Sequence, residues 1–247
     1  MTPRVPARVR AVLFDVDGTL LDSNDAHAHA WLDALRGHGI DVPFDRLRVA
    51  IGMGGDKLLR SVVNIDPSSQ LGCSIASSRE AIVRSHYLAD MAPLPGAHAL
   101  VDRIRARGLS MAVVTSAKEA EARALLVAAG VADLIETIVT ADDADRTKPD
   151  PDPVGAALAK LGVEPEEAMM IGDTPYDVAA CRRAGVSIIA LRSGGHADRE
   201  LFGAAAIYED AAELSMHLET SPILRRTPVR DTPAPISRGM RRPSPRP

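Results

Sequence analysis

Aromatic side chains are scarce in this 247-residue chain, which holds one Trp, three Tyr and three Phe, so the core is expected to be helix-rich and packed from Ala, Leu and Val. Cysteine is almost absent: Cys73 and Cys181 lie far apart and outside any Cys-x-x-Cys spacing. That argues against a disulfide framework and suits a reducing cytoplasm, with both thiols read as small semi-buried apolar residues. Long apolar runs are missing, and the short one near the N-terminus reaches Asp15 and Asp17 too soon for a signal peptide or a spanning helix. Positive charge is not in excess, and a formal net charge of -4 argues against broad binding to nucleic acid or an anionic membrane. No internal repeat is present.

What is there is organised around Ala11-Val12-Leu13-Phe14-Asp15-Val16-Asp17-Gly18-Thr19-Leu20-Leu21-Asp22. The stretch begins as an apolar run that reads as a strand buried on both faces, and then breaks into two carboxylates one residue apart. Two acids at the end of a buried strand repel each other and lose hydration, so folding alone gives no reason for both. A turn at Asp17-Gly18 accounts for the second acid and leaves Asp15 to function.

From Asp25 to Gly37 the periodicity is helical, with Asp22, Ser23 and Asn24 as candidate N-caps. Leu47, Val49 and Ile51 lead into a Gly-rich turn, and helical patterns follow over 56–63 and 75–88, so residues 23–93 read as a helical insert. It ends at the Pro-rich connector Ala92-Pro93-Leu94-Pro95-Gly96. Beyond Gly96, helices closed by Gly108, Gly130, Gly162 and Gly185 alternate with short apolar strands over 110–115, 136–140, 168–171 and 186–191. An edge strand over 204–207 and a last helix over 211–218 follow. This is the pattern of a doubly wound, parallel α/β sheet, whose ligands bind at the strand carboxyl ends. The expected division is a core of residues 1–22 and 94–220, the insert, and a disordered Pro- and Arg-rich tail over 221–247.

The strand ends collect Asp15 and Asp17, then Thr115 and Ser116, then Thr147-Lys148-Pro149 and finally Gly172-Asp173-Thr174-Pro175-Tyr176-Asp177. Acids, hydroxyls and one lysine on one sheet edge suit phosphoryl transfer assisted by a hard divalent cation. Asp15 and Asp173 can hold Mg2+. A carboxylate can attack phosphorus and form an aspartyl-phosphate, with Asp17 as acid and base toward the leaving oxygen and water. Thr115 and the following amides can bind phosphoryl oxygens, and Lys148 adds a point charge. Singly, each has a plainer reading, Lys148 as surface and Ser116 as a cap of the next helix.

Taken together, Asp15-x-Asp17-Gly-Thr-Leu, Thr115-Ser116, Lys148-Pro149 and Gly172-Asp173-x-x-x-Asp177 resemble the four motifs of the haloacid dehalogenase-like superfamily. The resemblance implies a Rossmann-like core with a small α-helical cap, a nucleophile at Asp15 and an acid/base at Asp17. Phosphate contacts are implied at Thr115 and Lys148. Mg2+ is implied on Asp15, the main-chain carbonyl of Asp17 and Asp173, with Asp177 close by. True dehalogenases lack the second acid, so the presence of Asp17 points to phosphate chemistry. The region around His27 is similar to phosphoglycolate-phosphatase-like and β-phosphoglucomutase-like members. The cap arginine of the mutases is replaced here by Gly55. Ser116, the cap turn with Gly54, Gly55 and Lys57, and His27 are candidate substrate contacts.

The expected activity is therefore Mg2+-dependent hydrolysis of a small phosphorylated metabolite, by a cytoplasmic monomer or homodimer with no nucleic-acid or membrane partner. A phosphosugar mutase and a non-catalytic module on the same fold stand as the alternatives.

Overall fold

The computed structural model describes residues 8–225. The apolar run forms β1 (Ala11–Phe14). Around it a parallel sheet assembles from β4 (Ser110–Val114), β5 (Thr137–Val139), β6 (Ala168–Gly172), β7 (Ser187–Leu191) and β8 (Ala206–Tyr208). Their order is β5-β4-β1-β6-β7-β8, so β1 lies between β4 and β6, where the direction of winding changes. At that position the ends of three strands meet, and a ligand crevice forms there in sheets of this kind.

Because side chains alternate along a strand, β1 feeds two cores. Val12 and Phe14 join α5 (Ala97–Ala106), α6 (Glu119–Ala128) and α9 (Ala211–Met216) on one face, through Leu100, Ile104, Leu125 and Leu214. Ala11 and Leu13 join α7 (Asp152–Leu161) and α8 (Pro175–Ala184) on the other, through Val154, Ala157, Val178 and Cys181. Each such Leu or Phe contributes roughly 1.5–3 kcal/mol by leaving water, which fixes the sheet as the rigid platform of the site. Gly162 and Gly185 close α7 and α8 in the left-handed conformation, as the sequence leads one to expect.

Between β1 and α5 the chain builds α1 (Asn24–Gly37), α2 (Phe44–Arg48), α3 (Gly55–Val63) and α4 (Gln70–Ile82), α4 running on through a π-helical turn, Val83–Tyr87. These helices share a third apolar cluster in which Trp31, Leu35, Leu47, Leu58, Leu59 and Ile75 are buried. Two strands absent from the sequence reading, β2 (Leu21–Asp22) and β3 (Ala92–Pro93), pair antiparallel where the chain enters and leaves the helical segment. The connector at Pro93 is thus half of a clasp. At two residues each, these strands carry no period to read.

The expected tail boundary is corrected. Ser221 donates from its hydroxyl to the Leu218 carbonyl at 2.7 Å, and Ile223 is buried in the core with α5 and α9. Ile223 and Leu224 are an apolar pair whose signal is lost when the tail composition is averaged. Residues 226–247 of that expected tail lie outside the described residues. Cys73 is exposed and Cys181 buried, so only Cys181 acts as an apolar filler. Among the described residues, no helix is long and apolar enough to cross a membrane.

Candidate active site

Asp15 follows β1 directly, and its N–H still donates to the Ile171 carbonyl of β6 at 2.9 Å, so the sheet holds its backbone. Its carboxylate meets Lys148, whose ammonium lies 2.7 Å from Asp15 Oδ1 and 2.8 Å from Asp177 Oδ1. Lys148 is 1% exposed, which rules out the surface reading of Lys-Pro. Asp177 is fixed from its other oxygen: the Thr174 N–H and hydroxyl donate to Oδ2 at 3.1 and 2.6 Å, and the Thr174 hydroxyl in turn caps α8. Asp173, at the end of β6, accepts from Thr19 Oγ1 at 2.9 Å and from Asn24 Nδ2 at 3.2 Å.

Gly18 and Gly194 are glycines because of this packing. Gly18 has φ +74°, and a Cβ there would stand 2.2 Å from Asp173 Oδ2; one on Gly194 would stand 2.0 Å from the same atom. Ser193 ties the two loops, donating from its hydroxyl to the Gly18 carbonyl at 2.7 Å.

Carboxylate oxygens of Asp15, Asp173 and Asp177 lie within 4.8 Å of one another, all three residues being buried. Three carboxylates and one ammonium leave an excess of negative charge. Burial, with Asp177 adding to it and Lys148 opposing, raises the Asp15 carboxyl from 3.8 to about 7. Burial and the neighbouring Asp15 and Asp177 push Asp173 well above the usual carboxylate range. Burial alone would lower Lys148, but Asp15 and Asp177 outweigh it and raise its pKa. Such a cluster fits a hard divalent cation, which takes oxygen ligands and keeps several waters. The buried Asn24 Oδ1 beside Asp173 has no partner among the described residues and can accept from such a water.

Asp17 stands apart from that cluster. Its Oδ1 accepts from the Ser23 hydroxyl at 2.5 Å and from His27 Nε2 at 2.7 Å. Burial would raise its pKa, but His27 and Ser23 overcome this and hold the carboxyl at about 2. On the far side of the ring, Arg79 Nη2 lies 2.7 Å from Nδ1, and Arg79 Nη1 binds both Glu121 oxygens at 2.7 and 2.8 Å. A guanidinium only donates, so Nδ1 accepts and the ring proton sits on Nε2, facing Asp17. Arg79 also lies over the Trp31 ring, 5.6 Å from its centroid. Arg79 and Glu121 were not singled out by sequence reasoning. The available signal is that Arg79 sits four residues after buried Ile75 and four before buried Val83, a charge in an apolar stripe.

A cavity of about 340 Å³ lies between the helical segment and the strand-end loops, lined by Trp31, Gly55, Arg79, Ser116, Lys118 and Thr147 among others. Of the sequence candidates, Ser116 and Gly55 line it. Ser116 does not cap α6, whose N-cap is Lys118. Thr115 is buried at the end of β4, its hydroxyl oxygen accepting from the Ala117 N–H at 3.1 Å. Gly54 and Lys57 are turned to the core loop instead: the Gly54 N–H donates to the Lys148 carbonyl at 3.4 Å and Lys57 Nζ to the Thr147 carbonyl at 2.5 Å.

At the winding change of a doubly wound sheet, the fold thus brings together an acid cluster that could hold a metal ion and one buried lysine. The sequence profile of the haloacid dehalogenase-like hydrolases matches residues 12–191. The chain is 34% identical over 215 residues to a phosphoglycolate phosphatase of Rhodospirillum rubrum, covering 83% of this chain and 89% of that one. A plasmid phosphoglycolate phosphatase of Cupriavidus necator is 34% identical over 230 residues, covering 91% and 96%. The crystal structure of a hydrolase from Pseudomonas syringae superposes with a TM-score of 0.78 at 31% identity, covering 85% of this chain and 98% of that one. The protein belongs to the haloacid dehalogenase-like hydrolases, and it is an enzyme of the phosphoric monoester hydrolase class.

Proposed function

We propose that the protein hydrolyses a small organic phosphate monoester, of the size and kind of phosphoglycolate, with Mg2+ and through an aspartyl-phosphate on Asp15. The observation that carries this is the convergence of the Asp15, Asp173 and Asp177 carboxylates, two of which, Asp15 and Asp177, also meet Lys148: an anionic cluster suited to hold a cation beside a carboxylate nucleophile. Asp15, Asp173 and the Asp17 carbonyl would hold Mg2+, with Asp177 near; the cation supplies charge neutralisation toward the phosphoryl oxygens.

The chain's own groups then divide the work. A carboxylate oxygen of Asp15 attacks phosphorus as the bond to the leaving oxygen breaks. Lys148 and Thr115 hold the phosphoryl oxygens. Asp17 gives a proton to the leaving oxygen, and then takes one from the water that attacks the aspartyl-phosphate and releases inorganic phosphate. Held at about 2, Asp17 is ionised in this arrangement and ready for the second half of the reaction. To serve the first half it takes up a proton from solvent as the His27 bond opens, and passes that proton to the leaving oxygen.

Residues 23–93 are read as the cap over the core of 1–22 and 94–220. The cavity beneath this cap suits a small leaving group. At Gly55 a Cβ would stand 2.9 Å from Trp31, so that position has no room for the cationic side chain a mutase needs there. This supports water, not a sugar hydroxyl, as the acceptor.

Turnover of p-nitrophenyl phosphate with Mg2+ tests the reading: Asp15→Asn should abolish it in a folded protein, and excess chelator should silence the native enzyme. Activity surviving in Asp15→Asn would end the nucleophile assignment. A panel of phosphorylated metabolites then ranks substrates.

A further inference from the structure

The turn before α3 grips the loop that carries Lys148. Besides the Gly54 and Lys57 bonds already described, the Thr147 hydroxyl donates to Asp56 Oδ1 at 2.6 Å and Lys57 pairs with Asp150. Thr147, Lys148 and Asp150 are all held from the cap side, while Arg183 of α8 binds the Pro149 carbonyl at 2.9 Å from below.

These bonds are not what folds the cap, whose helices are held by their own apolar cluster. They are also not the only ties between cap and core. Arg48 donates to the Gly194 carbonyl at 2.9 Å, Tyr176 donates from its hydroxyl to the Val49 carbonyl at 2.9 Å, and Lys118 pairs with Glu80 at 2.6 Å. None of those ties touches the Lys148 loop.

Lysine is a point charge on a flexible stem, so the place of its ammonium depends on how firmly its backbone is held. Lys57 is not among the cavity-lining residues, and two of its three donors are spent on the loop.

We propose that Lys57 is a positioning residue, which clamps Thr147–Asp150 so that the Lys148 ammonium stays on Asp15. Seating of the cap is thereby coupled to readiness of the nucleophile. This rests on the reading of Lys148 as a phosphate-binding group.

The test uses the full chain with Mg2+, p-nitrophenyl phosphate as substrate and orthovanadate as inhibitor. Lys57→Ala should lower kcat/KM about tenfold to a hundredfold, the scale of a small misplacement in an active site. Vanadate affinity should weaken in parallel, and Lys57→Arg should restore most of both. Tyr176→Phe, which removes a tie elsewhere, should change neither.

In the Lys148→Ala background, Lys57→Ala should cost nothing further. Additive losses there, or native vanadate affinity in a folded Lys57→Ala, overturn the proposal while leaving the phosphatase reading in place. Full activity in Lys148→Ala alone would overturn the Lys148 reading, and the clamp with it. If Lys57→Ala fails to fold, Asp150→Asn keeps the volume, weakens the same pair and should give the same pattern.

Discussion

His27 donates its Nε2 proton to Asp17 at 2.7 Å, and that bond helps to hold the Asp17 carboxyl ionised. Without it, the burial of Asp17 is opposed chiefly by Ser23. His27→Ala should therefore raise the Asp17 pKa from about 2 by a unit or more. Where the water-activating step limits the rate, ionised Asp17 is required, so the acidic limb of the pH–rate profile should move to higher pH. Near neutral pH, where Asp17 stays ionised, turnover should change far less than the ~10²–10⁴-fold cost of losing an acid/base outright. A pH–rate profile superposable on that of the native enzyme would contradict the role.

Metal-free protein should lose stability as pH rises. The folded Asp15 pKa, about 7, lies above its ordinary 3.8, so the folded state binds the proton more tightly than the unfolded state. The contribution is complete below the ordinary value and is lost as pH climbs through about 7. Asp173 is shifted in the same direction. Melting of chelator-treated protein should drop by roughly 5 °C between slightly acid and slightly alkaline pH. Asp15→Asn should flatten the slope, and adding Mg2+ should reverse it.

Gly18→Ala should cost about 2–3 kcal/mol, since it combines a left-handed backbone with a close approach to Asp173 and Asn24. Because the displaced group is Asp173, activity should fall further than stability predicts. Chemical denaturation and turnover of the same preparation check both halves.

Ile223→Ala should lower stability by about 2–4 kcal/mol, the cost of emptying a buried aliphatic site. That corresponds to a drop in melting temperature of roughly 5–10 °C, read by thermal unfolding, with turnover unchanged at low temperature.

The sheet is legible in the sequence because Ala11–Phe14 and the later strands are continuous apolar runs closed by glycine-ended helices. The acid cluster is legible because Asp15 and Asp173 interrupt such runs where folding gains nothing from a charge. The Arg79–Glu121 pair is not, because its members are 42 residues apart on separate helices and each looks ordinary alone. Ser23 misleads in an instructive way. It stands at the N-cap of α1, as its residue type suggests, yet makes no side-chain cap and gives its hydroxyl to Asp17. Lys57 reads as a group free to meet substrate until the core loop that absorbs two of its donors is in view.

The first turn of α1 spends its polar side chains outside its own helix, Ser23 and His27 on Asp17 and Asn24 on Asp173, while Trp31 and Leu35 further along belong to the cap core. One helix therefore belongs to both halves of the molecule. The two halves are not interchangeable parts: a different helical insert grafted onto this sheet would have to bring its own hydroxyl, amide and imidazole at this spacing, or leave the acids of the sheet without the partners that help to set their charge.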